Sequence, residues 1–306
     1  MVRMRWVELP GSELRLSRLG FGTAGLMARL DRRASVRLLE VAHDSGITHF
    51  DTARAYGYGE AESALGDFLA SRRGEVTVTT KLGMLPPRRS RALQGAKALG
   101  RAGARVLPAL RPLLRRGAQS MAESGAFDPA AARASLETSL RELRVETVDL
   151  LLLHECRPAD LETEGLLDFL EQAVAQGKVR AFGIGTDRAS TAAIVASRPE
   201  FARIVQVRQT VADPALELPP GVGLITHSAV VPLVEAVSER ARAEGWSRET
   251  VGRLLLAGGL RANPAGAVLF SSTDEGRIRA NAALADEPEP SAEDLERLTR
   301  LAVSAG

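Results

Sequence analysis

Eight short apolar or β-branched runs recur along the chain, and helix-patterned segments separate most of them. The runs are Leu19–Gly22, Ile47–Asp51, Val76–Lys81, Val148–His154, Val179–Ile184, Arg203–Val207, Val222–Thr226 and Ala267–Phe270. Between them lie stretches with apolar residues at helical spacing, such as Arg33–Ser45, Glu60–Ala70, Leu161–Gln176, Pro232–Glu244 and Arg248–Ala257. Asp128-Pro129, Asp187 and Ser291 supply helix starts, the last with Asp294 in a capping-box-like arrangement. The run VDLLLLH is nearly continuous in apolar residues, as a parallel strand covered on both faces must be. Strands alternating with helices give either an open doubly wound sheet or a closed (β/α)8 barrel. Eight alternations in 306 residues favour the α/β TIM barrel, and the chain reads as a single barrel over residues 1–306.

Two features sit outside the repeat. Met4–Glu8 and Glu13–Ser17 flank Pro10-Gly11 and predict an N-terminal β-hairpin. A long insertion, about residues 84–127, follows the third strand. It holds nine basic residues from Arg88 to Arg116 and no acidic one. With a net charge of +2, the rest of the chain sums to −7, so this segment is a local positive feature. A long insertion on a barrel rim is usually functional, and this one would draw an anionic substrate or partner.

Composition narrows the function classes. Lys and Arg number 40 against 38 Asp and Glu, which argues against nucleic-acid binding or a membrane surface. Cys156 is the only cysteine, so there is neither an internal disulfide nor a Cys-rich metal site. It reads as a small semi-buried residue. No His, Cys or carboxylate cluster suggests a metal. The N-terminus lacks a signal-like apolar core and no apolar stretch approaches membrane length. A cytoplasmic protein is expected. Trp6 and Trp246 are expected in the core.

In a barrel, functional groups come from the C-terminal ends of the strands. Asp51, Lys81 and His154 each end a different strand-like run, and Tyr56 follows Asp51 in a glycine-rich loop. A lysine closing a buried strand needs an acceptor, and Asp51 is the natural one. Tyrosine is a poor acid, with a reference pKa of about 10. A neighbouring ammonium lowers that pKa, and a carboxylate holds the ammonium in place. A histidine within reach orients a carbonyl oxygen. The set makes a proton donor beside an oxyanion site, which suits carbonyl reduction and implies a nicotinamide as hydride source.

Five motifs then resemble one family, in order and with suitable spacing. They are FGTAG at 21–25, HFDTARAYGYGEAE at 49–62, TTKLG at 79–83, SLRELRVETVDLLLLHE at 139–155 and GKVRAFGIG at 177–185. They are similar to the aldo-keto reductases, and the GFGTAG and AYGYGEAE motifs to bacterial aldose-dehydrogenase-like members. The likeness runs from about Leu14 to Asn281. It implies a (β/α)8 barrel that uses NADPH, or NADH, to reduce an aldehyde or ketone, or to run the reverse on a sugar or secondary alcohol. It places the catalytic tetrad on Asp51, Tyr56, Lys81 and His154, with Tyr56 as general acid.

The same resemblance assigns cofactor contacts. Gly22 and Thr23 fall in the first motif. Thr186, after Gly185, stands where the family often has Ser-Asn, and Gln206 matches a carboxamide-binding glutamine. His227, before Ser228, replaces a stacking aromatic. Ser272, Arg277 and Asn281 fall at adenosine-phosphate positions, whereas Ser271 and Ala280 replace the expected lysine and acid. The loop after His227 is short, which implies an open cleft or one covered by the insertion. These departures also suit another class of function, a cofactor-binding redox sensor or auxiliary subunit with little turnover. A third reading is a biosynthetic enzyme whose anionic or carrier-bound substrate docks on the insertion.

Overall fold

The computed structural model of the chain describes residues 4–86, 123–124 and 127–304. An antiparallel hairpin of β1 (Trp6–Glu8) and β2 (Arg15–Ser17) opens it, with Val7 opposite Leu16. Then come β3 (Leu19–Gly22), β4 (His49–Asp51) and β5 (Thr77–Leu82). A short antiparallel ladder of β6 (Met84–Leu85) and β7 (Glu123–Ser124) brings the two ends of the expected insertion together. Its basic stretch, Arg88–Arg116, lies outside the described residues. The remaining strands are β8 (Val148–His154), β9 (Val179–Gly185), β10 (Ile204–Arg208), β11 (Gly223–His227) and β12 (Ala267–Phe270). Strands β3, β4, β5 and β8 to β12 pair in parallel and close into one barrel through β12 and β3. The (β/α)8 expectation holds.

The described helices are α1 (Leu26–Arg29), α2 (Arg32–Asp44), α3 (Ala61–Leu69), α4 (Pro129–Leu143) and α5 (Leu166–Ala175). They continue with α6 (Arg188–Ser197), α7 (Val234–Ala241), α8 (Arg248–Ala262), α9 (Glu275–Ala283) and α10 (Ala292–Val303). The capping residues read from sequence act as such. Asp128 accepts from the Ala130 and Ala131 N–H groups, Asp187 from Ala189 and Ser190, and Ser291 from Asp294. Each satisfies donors that a helix start leaves open, worth about 1 kcal/mol apiece.

Several boundaries differ from the periodicity. The helix expected from Leu161 begins at Leu166, because Gly165 takes a left-handed φ of 76° and a 3-10 turn occupies Pro158–Glu162. Helix α8 runs five residues beyond Ala257 to Ala262, through Gly258 and Gly259, where tertiary contacts override low helix propensity. Helix α1 has too short a pattern to be seen in sequence. Trp6 is 42% exposed, not core, and stacks under the Arg15 guanidinium.

All of β8 is buried. Leu151 and Leu153 join the layer between strands and helices, while Leu150 and Leu152 fill the barrel. That interior cluster includes Leu9, Leu14 and Leu16, so the hairpin plugs the N-terminal mouth with apolar side chains. Asp149, the one acid in this strand, is satisfied by the Val78 N–H and by Arg73 and Arg180. With the bottom sealed, the polar side chains at the C-terminal ends of the strands face the other mouth.

Candidate active site

Asp51 closes β4, Lys81 lies near the end of β5 and His154 closes β8. Pairing of β4 with β5 and of β5 with β8 puts their ends side by side. Tyr56 comes from the YGYG turn just past β4. Gly57 there has φ 58°, and a β-carbon on it would meet the Met27 β-carbon at 2.6 Å. Only glycine allows the turn to pack this closely against α1. The four residues expected as a tetrad are brought together.

Lys81 is 1% exposed and spends its ammonium on fixed acceptors. Its Nζ donates to Asp51 Oδ1 at 2.6 Å, Asp51 Oδ2 at 2.7 Å and the Thr52 carbonyl at 3.0 Å. Burial pulls its pKa down, but the charge and hydrogen bonds of Asp51 and Tyr56 outweigh that and leave it above the ordinary value. Lys81 Nζ lies 4.9 Å from the Tyr56 ring centroid. The Tyr56 and His154 rings meet edge to face at 5.7 Å. Tyr56 departs from the sequence expectation. Burial raises its pKa by more than Lys81 lowers it, so the phenol holds its proton more tightly than free tyrosine. Burial, with the Lys81 and His227 charges, drops His154 to about 3. His154 is therefore a neutral imidazole at pH 7, able to hydrogen-bond but not to act as an acid.

These groups open into a cavity of about 1710 Å³. Asp51, Tyr56 and His154 line it together with Gly22, Gln206, His227, Ser228, Ser272, Arg277 and Asn281. Gln206 Nε2 donates to Asp51 Oδ2 at 2.7 Å, which leaves the carbonyl oxygen as its free acceptor. His227 bonds through Nδ1 to Ser228 Oγ at 2.8 Å. Ser272 is engaged in its own turn with Asp274, whose carboxylate caps α9 at the Arg277 N–H. The Arg277 guanidinium has no hydrogen bond or ion pair among the described residues, whereas Arg248 and Arg253 on the same wall are paired with Glu235 and Glu287. An uncommitted cation in a cleft is a donor set suited to a phosphate.

Two expected cofactor contacts are not brought to the cavity. Thr23 is fully buried with its hydroxyl on Thr52 Oγ1, and Thr186 donates to the Cys156 carbonyl. Cys156 itself is wholly buried, and burial pushes its thiol up to about 12, far from a reactive thiolate. Glu155 lines the cavity and was not singled out from sequence. The available signal was an acid directly after a strand-ending histidine. Among the described residues no group of three His, Cys, Asp or Glu is placed to hold a metal ion, and no helix is long and apolar enough to cross a membrane.

Comparison with known proteins leads to one family. The D-threo-aldose 1-dehydrogenase of Pseudomonas sp is 33% identical over 183 residues, 56% of this chain and 51% of that protein. The chain thus spans about half the length of that relative. The NADH-specific methylglyoxal reductase of Escherichia coli (strain K12) is 25% identical over 272 residues, 85% of this chain and 74% of that one. The same fold occurs in an aldo-keto reductase from Klebsiella pneumoniae solved with NADPH (TM-score 0.69, 22% identity, 99% and 96% of the two chains covered). It occurs again in the holo form of an aldo-keto reductase from Bacillus halodurans (TM-score 0.72, 19% identity, 98% and 97% covered). The model of the aldo/keto reductase family matches residues 18–213, well over half of the sequence and the stretch that carries Asp51, Tyr56, Lys81 and His154, so the chain belongs to the aldo/keto reductase family.

Proposed function

We propose that the protein is an NAD(P)H-dependent oxidoreductase that reduces an aldehyde or ketone to the alcohol, or runs the reverse on a sugar or secondary alcohol. The observation that carries this reading is a buried Asp51–Lys81 pair beside Tyr56 and His154, opening into a cavity that also reaches the uncommitted Arg277. The cavity residues fit a dinucleotide. Gln206 offers a carbonyl oxygen to a carboxamide, His227 a flat ring, and Arg277 and Asn281 polar groups to the adenosine phosphate. A reduced nicotinamide bound there supplies the hydride to the carbonyl carbon.

The chain's own residues do the rest. Tyr56 gives the phenol proton to the carbonyl oxygen as charge develops on it, completing the alcohol. Lys81 stabilises the phenolate left behind, and Asp51, itself held by Gln206, keeps the ammonium charged and aimed. Neutral His154 orients the substrate oxygen by hydrogen bonding. Arg277 would hold the 2′-phosphate of NADPH, whose charge suits a guanidinium, with NADH also accepted.

The test is a fluorescence titration with NADPH and NADH, followed by single turnover on a simple aldehyde. Binding of both cofactors and oxidation of the bound reduced form are expected. Tight binding without hydride transfer would overturn the reading. Arg277→Ala should weaken NADPH about tenfold, as expected for losing hydrogen bonds to a charged group, and leave NADH nearly unaffected. Equal losses for both cofactors would remove Arg277 from the phosphate site.

A further inference from the structure

Glu155 follows His154 directly and lines the same cavity as Tyr56. Its backbone is left-handed, with φ 54°. Residues with long side chains adopt that conformation rarely and at a cost, so something must hold them there. Here the Glu155 N–H donates to the Gly185 carbonyl at 2.8 Å, tying together the ends of β8 and β9. Glu155 is exposed and lines the cavity, and its carboxylate has no hydrogen bond or ion pair among the described residues. It is electrostatically in touch with the reacting groups. Its charge raises Tyr56, and the Lys81 charge acts on Glu155.

Reduction by Tyr56, Lys81, Asp51 and His154 has no use for this charge. A carboxylate near the carbonyl oxygen opposes the negative charge that develops there, since like charges repel. A strained, unpaired acid at this position is a liability unless it contacts the substrate. A carboxylate is an acceptor only, and its partner must be an O–H or N–H donor. The same charge repels carboxylates and phosphates.

Resting on the reading above, we infer that Glu155 is a specificity-determining residue. Its carboxylate takes a hydrogen bond from a hydroxyl or ammonium group borne near the substrate's carbonyl carbon, and it disfavours anionic groups there. The inference runs against an anionic group at the reacting end of the substrate, whatever the basic segment does elsewhere.

The experiment compares kcat/KM with NADPH for propionaldehyde, lactaldehyde and 3-aminopropionaldehyde in the wild type and in Glu155→Gln. The three differ by no donor, a hydroxyl and an ammonium. The wild type should prefer at least one donor-bearing aldehyde over propionaldehyde, and Glu155→Gln should cut that preference about tenfold, chiefly through KM. A preference for the ammonium compound that fades in high salt identifies a cationic substrate; a salt-insensitive preference for lactaldehyde identifies a hydroxylated one. A merely structural Glu155 would slow all three alike. Both preferences changing by less than about twofold would overturn the inference while activity on propionaldehyde still upheld the general reading. A wild type that transfers no hydride to any of the three sinks both.

Discussion

Tyr56 works as an acid only while its phenol keeps its proton, and burial makes it keep that proton beyond the ordinary range. Reduction should therefore hold its rate from neutral into alkaline solution and fall only above pH 10, the unperturbed tyrosine value. Alcohol oxidation needs the phenolate and should rise over the same span. A reduction rate that titrates well below that value in a pH profile would contradict Tyr56 as the donor. Tyr56→Phe should lower reduction by about 10²–10⁴-fold while cofactor titration stays normal, because the phenol acts on the substrate oxygen. Lys81→Met has two effects that can be separated. It removes the cation facing Tyr56, and it leaves the Asp51 carboxylate buried with Gln206 and no counter-charge. Breaking a buried pair in this way costs about 3–5 kcal/mol. Thermal melts should show that loss, and adding Asp51→Asn should recover much of it without restoring turnover. A single variant with wild-type melting and activity would reduce Lys81 to an ordinary strand end.

At the scale of the element, α8 shows how one helix can carry glycines for opposite reasons. A β-carbon on Gly259 would lie 2.8 Å from the Ala229 β-carbon, and one on Gly258 would lie 2.4 Å from Val211 Cγ1. Gly258 lets the helix approach the loop after β10, and Gly259 the loop after β11, which carries Ser228 on the cavity wall. At Gly252 the first atom met is Val234 Cγ2 at 4.0 Å, so nothing opposes a methyl group. Gly252→Ala should then stabilise the protein by up to about 1 kcal/mol through helix propensity alone. Gly259→Ala gains the same propensity but must displace Ala229, and overpacking of this kind costs about 1–3 kcal/mol. Melting temperatures should move in opposite directions. NADPH affinity should fall in Gly259→Ala, as its methyl pushes the loop that holds Ser228. Stabilisation by both substitutions would show that the loop yields freely.

Across the whole molecule, the barrel holds histidines neutral in its interior. His49 is fully buried between Thr77 and Thr79, which its ring nitrogens contact at 3.0 and 3.4 Å. Burial lowers it to about 4 and His154 to about 3. In the unfolded chain both return to 6.5. Below that value the unfolded state binds protons that the folded state refuses, so stability drops as pH falls from 6.5 toward 4. Each histidine accounts for a few kcal/mol over that window, at about 1.4 kcal/mol per pKa unit. Urea midpoints should fall clearly between about pH 7 and pH 5, above the range where most carboxylates titrate. A flat profile there would mean that the histidines are reached by water.

The sequence by itself determined the barrel, the hairpin, the capped helix starts and which strands carry Asp51, Lys81 and His154 at or near their ends. Those features are written in local periodicity, in the capping residues and in the apolar runs that a two-sided parallel strand requires. It also carried the motifs of the family. What it could not carry were outcomes that depend on contacts between distant residues. The late start of α5 turns on one left-handed glycine, and the extension of α8 through Gly258 and Gly259 on the two loops, after β10 and after β11, packed against it. Tyr56 was expected to be made more acidic by Lys81, and it is burial by the surrounding barrel that reverses the sign. Thr23 and Thr186 carry the right hydroxyls at the right strand ends, but neighbouring loops take up those hydroxyls. Gln206 reaches Asp51 across 155 residues, and Glu155 faces the cavity because β9 holds its backbone in place. Strand pattern is a property of adjacent residues; the direction of a side chain, its partner and its protonation are decided by the closed barrel around it.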